Sequence, residues 1–183
     1  MESIYMLADY YVDKDPLIRG IIKEVYTPFS VTGKWKLTGK NEYEKRMYAN
    51  YYRRIGLERF MRAVFFQYYK YGNVFIYMMP DGHLVTMPIR KMRIGNVTVN
   101  GTPVVEFRAG SILSDLEASG LIADKRYIKD DELSVRLGGY PQEVVDAVRT
   151  GKEWVQLNPK NSFLMQDVKE DWSRYAYPMI TAC

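Results

Sequence analysis

Apolar residues along this chain change their spacing several times, and each change marks an element. After Asp15-Pro16, an N-cap followed by proline at the first helical position, Leu17, Ile18, Ile21, Ile22 and Val25 recur at helical spacing until Thr27-Pro28 closes the run. This predicts a first helix. Between Ser30 and Lys40, Val31, Trp35 and Leu37 alternate with polar residues, and the pattern predicts a short extended segment or hairpin arm. Asn41 to Arg54 is polar and helix-forming with few apolar anchors. Gly56 interrupts it before Leu57, Phe60, Met61, Val64, Phe65 and Tyr68 form an apolar stripe. These are the second and third helices.

Gly72 is placed to end the third helix in the left-handed conformation, with Lys70 near the negative end of the helix dipole. Val74 to Met79 then reads as a strand, Pro80-Asp81-Gly82 as a turn, and Leu84 to Ile89 as the returning strand. Val97 to Val99 and Val104 to Phe107 flank Asn100-Gly101, the signature of a two-residue hairpin turn. The middle of the chain is therefore expected to be an antiparallel meander. From Ala109 to Gly139 the period weakens, although "SILSDLEASG" is compatible with a short helix. Pro141 opens another helix with Val144, Val145 and Val148 on one face and Gly151 past its end. "EWVQLNPKNSFLMQDV" reads as two strands around the turn cluster Asn158 to Asn161.

The expected fold is α+β, helices packed on an antiparallel meander and hairpins, with no β-α-β alternation and no internal repeat. Four parts follow: a helical part over 1–71, the meander over 72–108, an irregular insertion over 109–140, and a helix plus hairpin over 141–183. The final run "RYAYPMITAC" stops while still apolar, which predicts that a further C-terminal part is missing.

Composition narrows the function classes. With 183 residues the chain can bury roughly two thirds of its extended surface. Apolar and charged fractions of 47% and 26% match folded globular proteins and exclude a disordered chain. Sixteen tyrosines and ten methionines point either to subunit interfaces or to a Tyr-rich core. A net charge of +4, dispersed along the chain, does not by itself mark a nucleic-acid binder. The lone Cys183 excludes an intrachain disulfide and a multi-Cys zinc site, and fits a reducing compartment. No export signal or membrane-length apolar run is seen, so Asn96 and Asn100, though in glycosylation sequons, read as turn residues.

Catalytic parts are sparse. His83, the single histidine, follows a turn and reads as an exposed strand residue. "GKWKLTGKN" from Gly33 to Asn41 fails as a phosphate loop: five residues separate Gly33 from Gly39, and Asn41 stands where Ser or Thr should hold magnesium. Asp130-Asp131-Glu132 and Asp167, Glu170 and Asp171 read as solvated carboxylates. Lys34, Trp35, Lys36 and Lys40, and Arg53 and Arg54 beside Tyr51 and Tyr52, interleave basic and aromatic groups as a nucleic-acid platform or a subunit contact would. No reaction, cofactor or metal is assigned, and the chain is not read as an enzyme.

Taken as a unit, "YYKYGNVFIYMMPDGHLVTMPIRKMRI" resembles the portal proteins of tailed double-stranded DNA bacteriophages. Gly72, Asn73, Phe75, Tyr77, Asp81, Gly82, Pro88 and Arg93 fill the places of that pattern. The hairpin "VTVNGTPVVEFR", the segment "WVQLNPKNSFLMQDVKEDWSRYAYPMI" and the opening "LADYYVDKDPLIRGIIKEVYTPFS" are similar to further portal segments, with Ala176-Tyr177-Pro178 replacing the usual glycine pattern. The resemblance implies a wing-like α+β body lacking the downstream stem and clip, in a homo-oligomeric, typically dodecameric ring. Such a ring stands at one capsid vertex of the virion after assembly in the host cytoplasm. Its partners would be the major capsid protein, the terminase large subunit, a tail adaptor and double-stranded DNA passing through the channel, with no membrane. Tyr68, Tyr69, Tyr71, Phe75 and Tyr77 cannot all face one core, and in such a ring the aromatic surface would pack against neighbouring subunits; the candidates for subunit or DNA contact are Lys34, Trp35, Lys36, Arg53, Arg54, Tyr69 and Tyr71. The alternatives are another ring-forming head-tail component and a nucleic-acid-binding enzyme fragment.

Overall fold

The computed structural model describes residues 2–32, 41–99, 102–121, 130–167 and 173–178. Its fold is α+β, with short helices and two three-stranded sheets. The chain divides into two units, one formed by Met1–Arg90 with Leu164–Cys183 and the other by Lys91–Phe163.

In the first unit, helix α1 (Glu2–Lys14) precedes the first expected helix and buries Tyr5, Ala8 and Val12 along one stripe. Asp15 then caps α2 (Pro16–Gly20), its carboxylate accepting from Leu17 N at 2.9 Å and Ile18 N at 3.3 Å. The chain does not leave the helix at Thr27-Pro28 as its sequence suggests. It passes through a π-helical segment, Ile21–Tyr26, into α3 (Thr27–Thr32). Thr27 donates five residues back to Ile22 O, and this wider turn lies immediately before Pro28. Proline in a regular α turn presses on the carbonyl four residues back and offers it no N–H; a π turn relieves that conflict. Ser30 to Thr32 is thus helical, where an extended arm was expected.

Helix α4 (Glu42–Arg54) is capped by Asn41, whose side chain accepts from Tyr43 N at 2.9 Å, and buries none of its residues. Gly56, at φ +64°, turns the chain into α5 (Leu57–Tyr71). Gly72, at φ +71°, ends α5 with its N–H on Tyr68 O at 2.8 Å and delivers the chain into β1 (Asn73–Met78). β1 is the central strand between β2 (Leu84–Thr86) and β6 (Ser162–Gln166). It buries Asn73, Val74 and Phe75 consecutively, as a strand covered on both faces does. β1 and β2 pair antiparallel with Tyr77 opposite Val85. β2 is shorter than the apolar run from Leu84 to Ile89, because Pro88 cannot donate to a ladder and Ile89–Lys91 forms a 3-10 turn.

In the second unit, β3 (Met92–Val99) and β4 (Thr102–Arg108) form an antiparallel hairpin and β5 (Trp154–Gln156) pairs with the other edge of β4. The turn Asn100-Gly101 lies outside the described residues. Two departures from the sequence pattern emerge. The expected single meander is split, since its two hairpins belong to different sheets. The strands around Asn158 to Asn161 do not pair with one another either, for β5 joins β4 and β6 joins β1. The irregular stretch holds α6 (Ile112–Ala118) and α7 (Asp130–Arg136), which bury Ile112 and Leu133, while α8 (Gln142–Arg149) buries Val144, Val145, Ala147 and Val148. Phe107, fully buried, meets Tyr140 edge to face at 5.8 Å in this core.

Candidate functional site

The most deeply buried polar side chain, Asn73, lies where α5 becomes β1. Asn73 has no exposed surface, and its amide acts as a template for backbone. Its Nδ2 shares two N–H groups among Ala176 O at 2.6 Å, Tyr5 Oη at 3.1 Å and Tyr71 O at 3.1 Å. Its Oδ1 accepts from Ala176 N at 3.0 Å and Gln166 Nε2 at 2.9 Å. The preceding glycine is needed for a second reason besides its positive φ: a Cβ on Gly72 would collide with the Tyr177 carbonyl. The Gly-Asn pair is therefore a clasp that seats residues 173–178 on the start of β1.

One turn before it, Lys70 points inward, 7% exposed, and its Nζ lies 2.6 Å from Asp9 Oδ1. The Tyr71 hydroxyl donates to the same oxygen at 2.5 Å, and Arg90 takes Oδ2. Burial alone would raise the Asp9 carboxyl, but hydrogen bonds from Lys70, Tyr71 and Arg90 outweigh it and hold the group below the ordinary aspartate range. Burial first, and then the bond to Asp9, push the Tyr71 phenol up. All four groups satisfy one another, leaving no free base or nucleophile in the cluster. Its chemistry is that of a brace between α1 and the end of α5.

The outer surfaces of α1, α2 with the π-helical segment, and α4 are different. Leu17, Ile21 and Val25, spaced four apart, remain exposed, Leu17 at 69% and Val25 at 57%. On α1, Met6, Leu7, Tyr10 and Tyr11 are also exposed, Tyr10 at 59%. On α4 the exposed aromatics are Tyr43, Tyr48, Tyr51 and Tyr52.

The contact candidates fall into three groups. Lys34, Trp35 and Lys36 lie outside the described residues. Arg53 and Arg54 are exposed in the last turn of α4, with the Arg54 guanidinium 5.9 Å from the Tyr51 ring centre. Tyr69 and Tyr71 are half-buried and engaged within the chain: Tyr69 hydrogen-bonds Ser30 Oγ at 2.6 Å and its ring meets that of Tyr26 at 5.3 Å, and Tyr71 holds Asp9. Two features went unread in the sequence. The inward stripe of α1 was visible as Tyr5, Ala8 and Val12 at helical spacing, which also fixes Met6 and Tyr10 as outward. Arg59, which with Arg54 borders an open groove beside Leu84 and Thr86, is brought to Arg54 by the left-handed turn at Gly56, which no local spacing announces.

His83 is exposed, its Nδ1 3.3 Å from the Asp81 carboxylate in the same turn. Among the described residues no three His, Cys, Asp or Glu side chains are grouped to hold a metal, and no helix is long and apolar enough to cross a membrane. Glu170, Asp171 and Cys183 are outside the described residues. What the arrangement offers is contact: a braced scaffold with apolar and Arg/Tyr surfaces on its helices. No protein-family model matches the chain, and neither a curated protein nor a solved structure matches it.

Proposed function

We propose that the chain is a structural subunit that assembles with copies of itself into a ring, and specifically a portal (head-to-tail connector) subunit of a tailed double-stranded DNA phage. The observation that carries the self-association is the exposure of Leu17, Ile21 and Val25, four residues apart, and separately of Met6, Leu7, Tyr10 and Tyr11 on α1, which leaves large apolar side chains in water. Burying each of them fully against another copy would contribute roughly 1.5 to 3 kcal/mol. A face on one subunit that meets a different face on the next generates a closed ring when the rotation closes. The portal assignment itself is supported by the sequence resemblance. It carries the capsid vertex, the major capsid protein, the terminase large subunit, the tail adaptor and the DNA channel with it.

Native mass spectrometry and electron microscopy of the purified protein test the proposal. A closed ring near twelve copies is expected, and Leu17→Ser with Val25→Ser should release folded monomers. A protein that stays monomeric at high concentration and low salt overturns it. A ring that binds no terminase and has no through-channel would make the chain another head-tail component.

A further inference from the structure

Beyond the ring, and independently of it, we infer that the arginine and tyrosine face formed by α4 and the start of α5 holds single-stranded nucleic acid. Arg46, Arg53, Arg54 and Arg59 make no ion pair among the described residues. The other charges of these helices do: Lys45 holds Glu42 at 2.5 Å and Arg62 holds Glu58 at 2.9 Å. Among the described residues Glu44, in the first turn of α4, is the only carboxylate of the two helices that makes no ion pair, whereas three of the four arginines cluster from Arg53 to Arg59. The excess charge is thus concentrated at the α4–α5 corner. Arg54 and Arg59 line an open groove there of about 460 Å³, with Phe60 and Thr86 on its walls.

Charge alone would suit any polyanion, and the tyrosines select among them. Tyr43 is 75% exposed, and Tyr48 and Tyr52, one turn apart, present rings inclined by only 29° with centres 6.4 Å apart. Arg54 rests over Tyr51. Exposed rings of this kind stack on free base faces, which a single strand offers and a duplex hides between its pairs. An acidic peptide has the charge without the flat faces. Helix α4 buries no side chain of its own, so its tyrosines and arginines lie at the surface where such a strand would meet them.

The test is fluorescence anisotropy of the protein with a labelled oligothymidine and a duplex of equal length, over a salt series. The single strand should bind more tightly than the duplex, with affinity falling on added salt by about 0.7 log unit per log unit for each phosphate contacted. Arg53→Gln with Arg54→Gln should reduce that slope by about 1.4. Tyr48→Ala with Tyr52→Ala should weaken oligothymidine binding roughly tenfold and leave duplex binding unchanged. Circular dichroism checks that these surface variants stay folded. Absence of binding at the lowest salt overturns the inference. So does equal binding of both forms untouched by the tyrosine changes, or a loss of self-association in these variants without any loss of oligonucleotide binding.

Discussion

Asn73 and Ala176 hydrogen-bond to each other twice, side chain to backbone in both directions, across 103 residues of sequence. The pair copies the exchange between two peptide groups in a sheet, so it fixes both position and direction of the returning segment. Asn73→Ala would remove the Asn73 bonds to Ala176 N–H and C=O and to the Tyr5 hydroxyl, and leave Gln166 Nε2 with only Arg174 O. A loss of roughly 2 to 4 kcal/mol in urea unfolding is expected. Asn73→Asp keeps the acceptor, loses the donor and buries a charge, and should be no better than the alanine variant.

Gly72 and Gly56 provide a matched comparison, because both adopt a left-handed backbone but only Gly72 is crowded. Gly56→Ala, with open space around the new methyl, should cost about 1 kcal/mol for backbone strain alone. Gly72→Ala must also displace the Tyr177 carbonyl, and thermal unfolding should show a clearly larger loss. Equal losses would mean that residues 173–178 yield freely.

Breaking the Asp9 brace from one side should be worse than removing it. Asp9→Asn leaves Lys70 charged, buried and without its carboxylate, at a cost of about 3 to 5 kcal/mol. Adding Lys70→Met should recover most of that loss, measured as a double-mutant cycle in urea. The pH dependence has a definite sign. Because the folded Asp9 carboxyl lies below its unfolded value of about 4, its contribution is complete above that pH and disappears as pH falls through the folded value. The Asp9→Asn variant should lack this acid-side decline.

At the alkaline end the phenols of Tyr5, Tyr68 and Tyr71 act in the opposite sense. Burial is the main cause in each, and Tyr68 is pushed up to about 12. Groups raised above their unfolded value of about 10 contribute stability below that pH and lose it as pH rises through the folded value. Absorbance titration should therefore show a late class of tyrosines that ionises together with unfolding, and Tyr71→Phe should remove one member.

Much of this architecture can be read from local spacing. Asp15-Pro16, Gly72 and the Val144, Val145 and Val148 face fall where their chemistry places them, since capping, positive φ and amphipathic period are local properties. Pairing partners are not local. Nothing in "LNPKN" shows that the strands on either side join different sheets, or that Asn73 awaits Ala176. Tyr69 and Tyr71 resemble surface aromatics until Ser30 and Asp9 come within reach of their hydroxyls. Arg53 and Arg54 were legible as a basic and aromatic cluster because their neighbours Tyr51 and Tyr52 are adjacent in the chain, whereas Arg59 joins them only across the turn at Gly56.

The order of synthesis gives the Gly-Asn clasp a kinetic meaning. The first unit is discontinuous, Met1–Arg90 with Leu164–Cys183, while the second is one uninterrupted run between them. A ribosome has therefore made every residue of the second unit before it makes β6's last residues and Ala176, on which Asn73 depends. During that interval the first ninety residues wait with β1 lacking one edge partner and with Asn73 answered by Tyr5 and Tyr71 but not yet by Gln166 or Ala176. Stalled nascent chains ending before and after Ala176 should differ in protease resistance at β1. Until that point one edge of β1 keeps its row of backbone N–H and C=O groups without the β6 partner.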